Sequence, residues 1–120
     1  MRYAKPMPYV KPEHRTALDP AIRELSHAIV ELTRAMPEET AFAGLLNYAC
    51  TSVAMQVVEG RFGRLRYGVI ATLTGVFKNV GDELYRRVAA PYEDRQIAAN
   101  GDVPLYEAYA KAGVKPREEP

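Results

Sequence analysis

The chain has 120 residues, 48% of them hydrophobic and 26% charged, and its 16 basic and 15 acidic residues give a formal net charge of +1. Such a length suits one domain with a continuous core, and such a balance excludes a global field for nucleic acid or an anionic membrane. The single cysteine, Cys50, excludes an intramolecular disulfide or a thiolate metal cluster within one chain. We therefore expect a cytoplasmic protein with no cofactor and no metal.

The first 18 residues predict an extended N-terminal arm, because Pro6, Pro8 and Pro12 each remove a backbone donor. Asp19 as N-cap and Pro20 in the first turn then predict the start of the first helix and of one helical domain over 19–112. Its apolar stripe comprises Ile22, Leu25, Ile29, Leu32 and Met36.

A second helix is predicted from about Pro37 to Glu59. Residues 40–58 carry no formal charge over about the length of a bilayer span. Asn47 and Gln56 interrupt this stretch, and a helix in the middle of a bundle is also apolar nearly all round. We therefore expect the central helix of a bundle, with Cys50 packed inside it, rather than a membrane span.

A third helix is predicted from about Arg64 to Ala90. One face carries an apolar stripe of Ile70, Leu73, Phe77, Val80, Leu84 and Val88. The opposite face carries the small residues Gly68, Ala71 and Gly75, which favour a close helix contact despite the low helix propensity of glycine. Such a contact could lie within the chain or across a dimer; we expect this row to form the interface of a homo-oligomer, with a dimer favoured.

Pro91 predicts a kink in the third helix or the start of a fourth. Asn100 and Gly101 predict a helix end. A short helix over 105–112 and a flexible tail over 113–120 complete an all-α fold, a bundle of three to four main helices with an extended N-terminal arm and a short C-terminal helix.

Polar and aromatic residues gather around Pro91: Tyr85, Arg86, Arg87, Tyr92, Glu93 and Asp94. Two arginines flanked by tyrosines could bind a small anionic ligand, such as a phosphorylated molecule. The alternative is an internal ion-pair cluster in which an arginine holds Glu93 or Asp94, and the residues favour it because every charge has an opposite neighbour. Nucleic-acid binding through Arg61, Arg64 and Arg66 is disfavoured.

No residues form a convincing catalytic motif. Glu24 and His27 have the spacing of a di-iron ligand pair, but the motif occurs once and lies away from the apolar stripe. Phosphate-binding loops and hydrolase elbows are not present in the sequence.

The segments Tyr9–Glu13, Leu46–Tyr48 and Tyr85–Val103 resemble an uncharacterised family of small helical prokaryotic and phage proteins. The resemblance implies no activity, cofactor or catalytic residue, and it adds only a slight association with nucleic acids or nucleotides. The function favoured by the sequence is a non-enzymatic, self-associating binding or assembly module. The alternative is a small-ligand protein or enzyme acting on a phosphorylated or nucleotide-like molecule at the Arg86/Arg87/Tyr92 surface.

Overall fold

The computed structural model describes residues 10–112, and within that range it contains helices and turns but no strand. The helices are α1 (Pro12–Arg34), α2 (Ala41–Phe62), α3 (Tyr67–Leu84), α4 (Ala90–Asn100) and α5 (Pro104–Ala112), with a π-helical turn over Tyr85–Ala89. The all-α class is confirmed. The chain divides into two units between Arg64 and Leu65, and the assignment of a single domain over 19–112 stays a prediction.

The first unit contains α1 and α2, which contact each other on either side of the turn over 35–40. Helix α1 begins at Pro12, so the prediction of an extended arm is wrong for residues 12–18. Residues 1–9 of the predicted arm and the predicted tail over 113–120 lie outside the described residues. Pro12 suits the first helical position. The Lys11 carbonyl accepts bonds from the amides of His14 and Arg15, and the Arg15 Nε donates to the Val10 carbonyl at 2.8 Å.

Pro20 therefore lies inside α1 rather than in its first turn. A proline there removes one amide donor from the helix ladder. The helix continues through it, and its predicted apolar stripe is largely exposed, with Ile29 only partly covered.

Helix α2 begins at Ala41 rather than at Pro37 and ends at Gly63, whose φ of 75° is the left-handed conformation that favours glycine. The expectation of a central, buried helix is wrong for the described chain. Val58 alone among residues 10–112 is buried, at 6% exposure. Cys50 is exposed.

Among the described residues, α2 is also the one helix long and apolar enough to cross a membrane. This is a statement about length and composition only. A core helix of a water-soluble assembly has the same properties, so the observation is weak evidence for a membrane span.

The second unit is built on α3, the π-turn and α4, which follow one another without a break in helical backbone. The residues at the junctions, Leu84, Tyr85, Ala89 and Ala90, all have right-handed helical φ and ψ. Pro91 follows directly, in the first turn of α4. In a regular α-helix its ring would meet the carbonyl of Arg87, and the wider π-turn relieves that clash. The sequence predicts a kink or a helix start at Pro91. The structure has instead a π-turn, which contains one residue more than a turn of α-helix.

Helix α4 ends at Gly101, whose φ of 86° and ψ of 158° are accessible essentially to glycine alone. The Gly101 amide donates to the Ile97 carbonyl at 2.8 Å. Asp102 accepts a bond from the Val103 amide at 2.7 Å, and α5 follows at Pro104.

Candidate functional site

The candidate site lies around the π-turn, where α3 passes into α4. The Tyr85 hydroxyl donates a hydrogen bond to Glu93 Oε2 at 3.1 Å, which ties the first residue of the turn to α4. Glu93 raises the pKa of Tyr85, first through this bond and then through its negative charge, with smaller contributions from desolvation and from the charge of Asp94. The phenol is therefore held protonated, as a donor, and is not prepared to act as a base.

Arg87 pairs along the helix with Glu83, with 3.1 Å between Nη1 and Oε1. Both side chains are largely exposed, and an exposed pair four residues apart contributes only about 0.3–0.5 kcal/mol. Arg95 lies over the Tyr92 ring, with Cζ at 5.9 Å from the ring centroid. Two of the predicted site residues are thus already engaged by neighbours in the same unit.

Arg86 lines a surface depression together with Asn79, Asp82 and Glu83. Two carboxylates at its rim offset the positive charge of the arginine, so the depression does not offer the cationic environment that a phosphate requires. Tyr85 and Glu93 are brought together by the fold, whereas Arg86 faces residues of α3. The assignment of these residues to a ligand site stays a prediction.

The predicted small-residue row lies on α3. A Cβ built on Gly68 or Gly75 meets nothing within 4 Å, so within the described chain no other segment approaches these glycines closely. The role of Gly68, Ala71 and Gly75 as an oligomer interface stays a prediction.

Other candidate residues also lie apart from one another. Glu24 and His27 are both exposed on α1, and within residues 10–112 no three His, Cys, Asp or Glu side chains come together in a way that could hold a metal ion. Arg61 lies over the Phe62 ring, with Cζ at 5.2 Å from its centroid. Of the three arginines that could bind nucleic acid, Arg61 is thus in contact with an aromatic ring.

Sequence reasoning missed the π-turn. A signal for it was present in the spacing of apolar residues, which changes from alternating steps of three and four to two steps of four at Leu84, Val88 and Tyr92. Pro91 lies within the second of these steps.

Residues 7–103 match the model of a family described as a domain of unknown function, DUF6899. The chain belongs to this family. The DUF6899 match includes α1, α2, α3, the π-turn and α4 in full and ends before α5. It confirms the expectation of an uncharacterised family, while a prokaryotic or phage origin stays a prediction. No curated protein matches the DUF6899 chain, and no solved structure matches it.

Proposed function

We propose that this DUF6899 protein is a non-enzymatic binding or assembly module whose helices complete their core by self-association. The observation that supports this proposal is the distribution of apolar side chains. Within residues 10–112 one hydrophobic side chain, Val58, is buried, while twenty-eight large ones are exposed. A stable domain of this size normally buries a contiguous apolar core.

The energetics favour association over exposure. Covering the exposed half of a Leu, Ile, Val or Phe side chain contributes roughly 1 kcal/mol, while association costs about 4–15 kcal/mol in lost freedom. A dozen or so such side chains, counted over two copies, offset that cost. Two copies of the chain together expose several times as many Leu, Ile, Val and Phe side chains as this.

A second copy of the chain is the partner that we propose, and a dimer is the simplest assembly. In a two-fold dimer the same surface occurs on both sides of the interface, so a charged surface would meet like charges. The apolar surfaces here avoid that problem: α2 carries no charged residue from Ala41 to Val58. We place this assembly in the cytoplasm.

Native mass spectrometry and sedimentation of the full chain at high micromolar concentration test the proposal. We expect an oligomer with no additional bound mass. A monomer at that concentration would contradict self-association. Recovery of the protein with the membrane fraction, and release only by detergent, would instead identify α2 as a membrane segment.

The second candidate function is a small-ligand protein or enzyme that acts on a phosphorylated or nucleotide-like molecule beside Arg86, Arg87 and Tyr92. The depression beside Arg86 supports it; the carboxylates of Asp82 and Glu83 weaken it. A reproducible added mass in the native spectrum that disappears on Arg87→Ala, at an unchanged melting temperature, would favour this candidate over assembly.

A further inference from the structure

A single apolar seam follows the long helix of the second unit through the π-turn. We define it as Ile70, Leu73, Phe77, Val80, Leu84, Val88 and Tyr92. We propose that this seam docks against the same seam of a second copy, and that the π-turn keeps its two ends in line. The inference rests on the proposed self-association and names the surface that carries it.

The first part of the seam has the spacing of a coiled coil. From Ile70 to Leu84 the steps alternate between three and four residues, which is the heptad pattern of helices that pack side by side. All of the seam except Leu73 is exposed, and Leu73 is only partly covered. The other described residues of the second unit therefore leave this stripe uncovered.

The π-turn corrects the phase of the second part. At about 100° per residue, eight α-helical steps from Leu84 would carry Tyr92 about 80° away from the seam. The Ala90 amide, however, donates to the Tyr85 carbonyl, five residues earlier. The turn takes up one extra residue, so the eight residues advance by only about seven α-helical steps and Tyr92 returns to within about 20° of Leu84.

Three charged residues of the same helix lie on the side opposite the seam. Lys78, Asp82 and Arg86 follow one another at steps of four, about 120–200° round the helix from Leu84. Every seam position is uncharged. Glu83 and Arg87 lie at one edge of the seam and pair with each other at 3.1 Å, so their opposite charges offset one another where two copies meet. This separation is the pattern of a helix that packs on one side and faces water on the other.

The seam is long enough for a specific contact. From Ile70 to Tyr92 it extends about 33 Å, at 1.5 Å per residue. Two such stripes, each about one helix diameter wide, cover on the order of 1,000 Å² in total, which is the lower limit for a specific interface. A second copy offers a stripe of the same length and the same absence of charge.

Disulfide trapping tests the proposal. In a Cys50→Ser background, Val80→Cys places a thiol near the middle of the seam, where it faces its own counterpart in a parallel or an antiparallel pair. Lys78→Cys is the matched control on the charged face. Under mild oxidation at micromolar concentration, we expect at least a tenfold higher yield of linked dimer from Val80→Cys. Equal yields would overturn the proposed seam.

The same series separates the seam from self-association itself. A wild-type oligomer with equal yields from the two cysteines would leave the proposed function standing and overturn only the seam. A wild-type monomer would overturn both. Cysteines at the ends of the seam test the effect of the π-turn on its alignment. Tyr92→Cys alone should form a disulfide in a parallel pair, and Tyr92→Cys combined with Ile70→Cys should form one in an antiparallel pair. If neither links while Val80→Cys does, the phase correction is wrong.

Discussion

Truncating Leu84 distinguishes a chain that is stable alone from one completed by a second copy. The Leu84 side chain is 60% exposed in the single chain, so about 40% of its surface is covered. Full burial of a leucine is worth roughly 1.5–3 kcal/mol, so Leu84→Ala would cost a self-sufficient monomer about 0.6–1.2 kcal/mol. In a packed dimer the same change would cost about 2–5 kcal/mol for each chain, because it also leaves a cavity.

Urea unfolding followed by far-ultraviolet circular dichroism measures this difference at a series of protein concentrations. For a dimer whose subunits unfold as they dissociate, a hundredfold rise in concentration raises the apparent stability by about 2.7 kcal/mol. We expect this shift in the wild type, and we expect Leu84→Ala to lower the midpoint at every concentration. Lys78→Ala, on the charged face of α3, should change stability by no more than about 0.5 kcal/mol.

A midpoint independent of protein concentration, together with a loss of about 1 kcal/mol or less for Leu84→Ala, would refute the reasoning. Leu84 would then be an ordinary exposed residue. The apolar surface of the chain would need an explanation other than a second copy docked along this seam.

Three further predictions follow from single residues of the described chain. The raised pKa of Tyr85 means that the stabilising effect of its bond to Glu93 is complete below pH 10 and is lost as the pH rises through the higher folded-state pKa. Ultraviolet titration should show that Glu93→Gln lowers the pKa of Tyr85. Gly101→Ala should destabilise the protein by about 1–3 kcal/mol in urea unfolding, because Gly101 has a positive φ. Gly44→Ala should instead stabilise the protein by about 0.5–1 kcal/mol, because Gly44 lies inside α2 and the new Cβ meets nothing within 4 Å. The thiol of Cys50 is exposed in the single chain; if the proposed assembly covers α2, it should react with a thiol reagent more slowly in the native protein than in urea, and equal rates would show that the assembly leaves α2 uncovered.

Local rules predicted much of the fold. The helix end at Gly101 was predicted from the need for a positive φ, which glycine meets without strain. Helix α2 was predicted to end at about Glu59, but it continues to Phe62 and ends at Gly63. The start of α1 was wrong because Pro12 and Pro20 both suit a first helical turn. The sequence alone does not decide between them, and the bonds of Arg15 and of the Lys11 carbonyl settle the choice in favour of Pro12.

Burial was the part that periodicity could not predict. A stripe at helical spacing shows which side of a helix is apolar, but it does not show whether the same chain covers that side. Cys50 illustrates the difference, because its surroundings in the sequence are apolar and its side chain is nevertheless exposed. The candidate site was limited in the same way. The sequence placed Tyr85 and Glu93 in one polar cluster around Pro91 and suggested an arginine as the partner of Glu93, whereas the structure shows a bond from Tyr85 to Glu93.

Pro91 connects the break in local regularity with the proposed assembly. A regular helix through residue 91 would bring the proline ring against the Arg87 carbonyl, at a cost of about 3 kcal/mol. It would also turn Tyr92 about 80° away from Leu84. The π-turn over Tyr85–Ala89 contains one extra residue, which relieves the clash with the Arg87 carbonyl and returns Tyr92 to the side of Leu84. The Tyr85–Glu93 bond joins the start of that turn to α4. Relief of the proline clash alone would explain the turn in a single chain, and the return of Tyr92 to the side of Leu84 is the consequence of the same extra residue that the proposed partner would use.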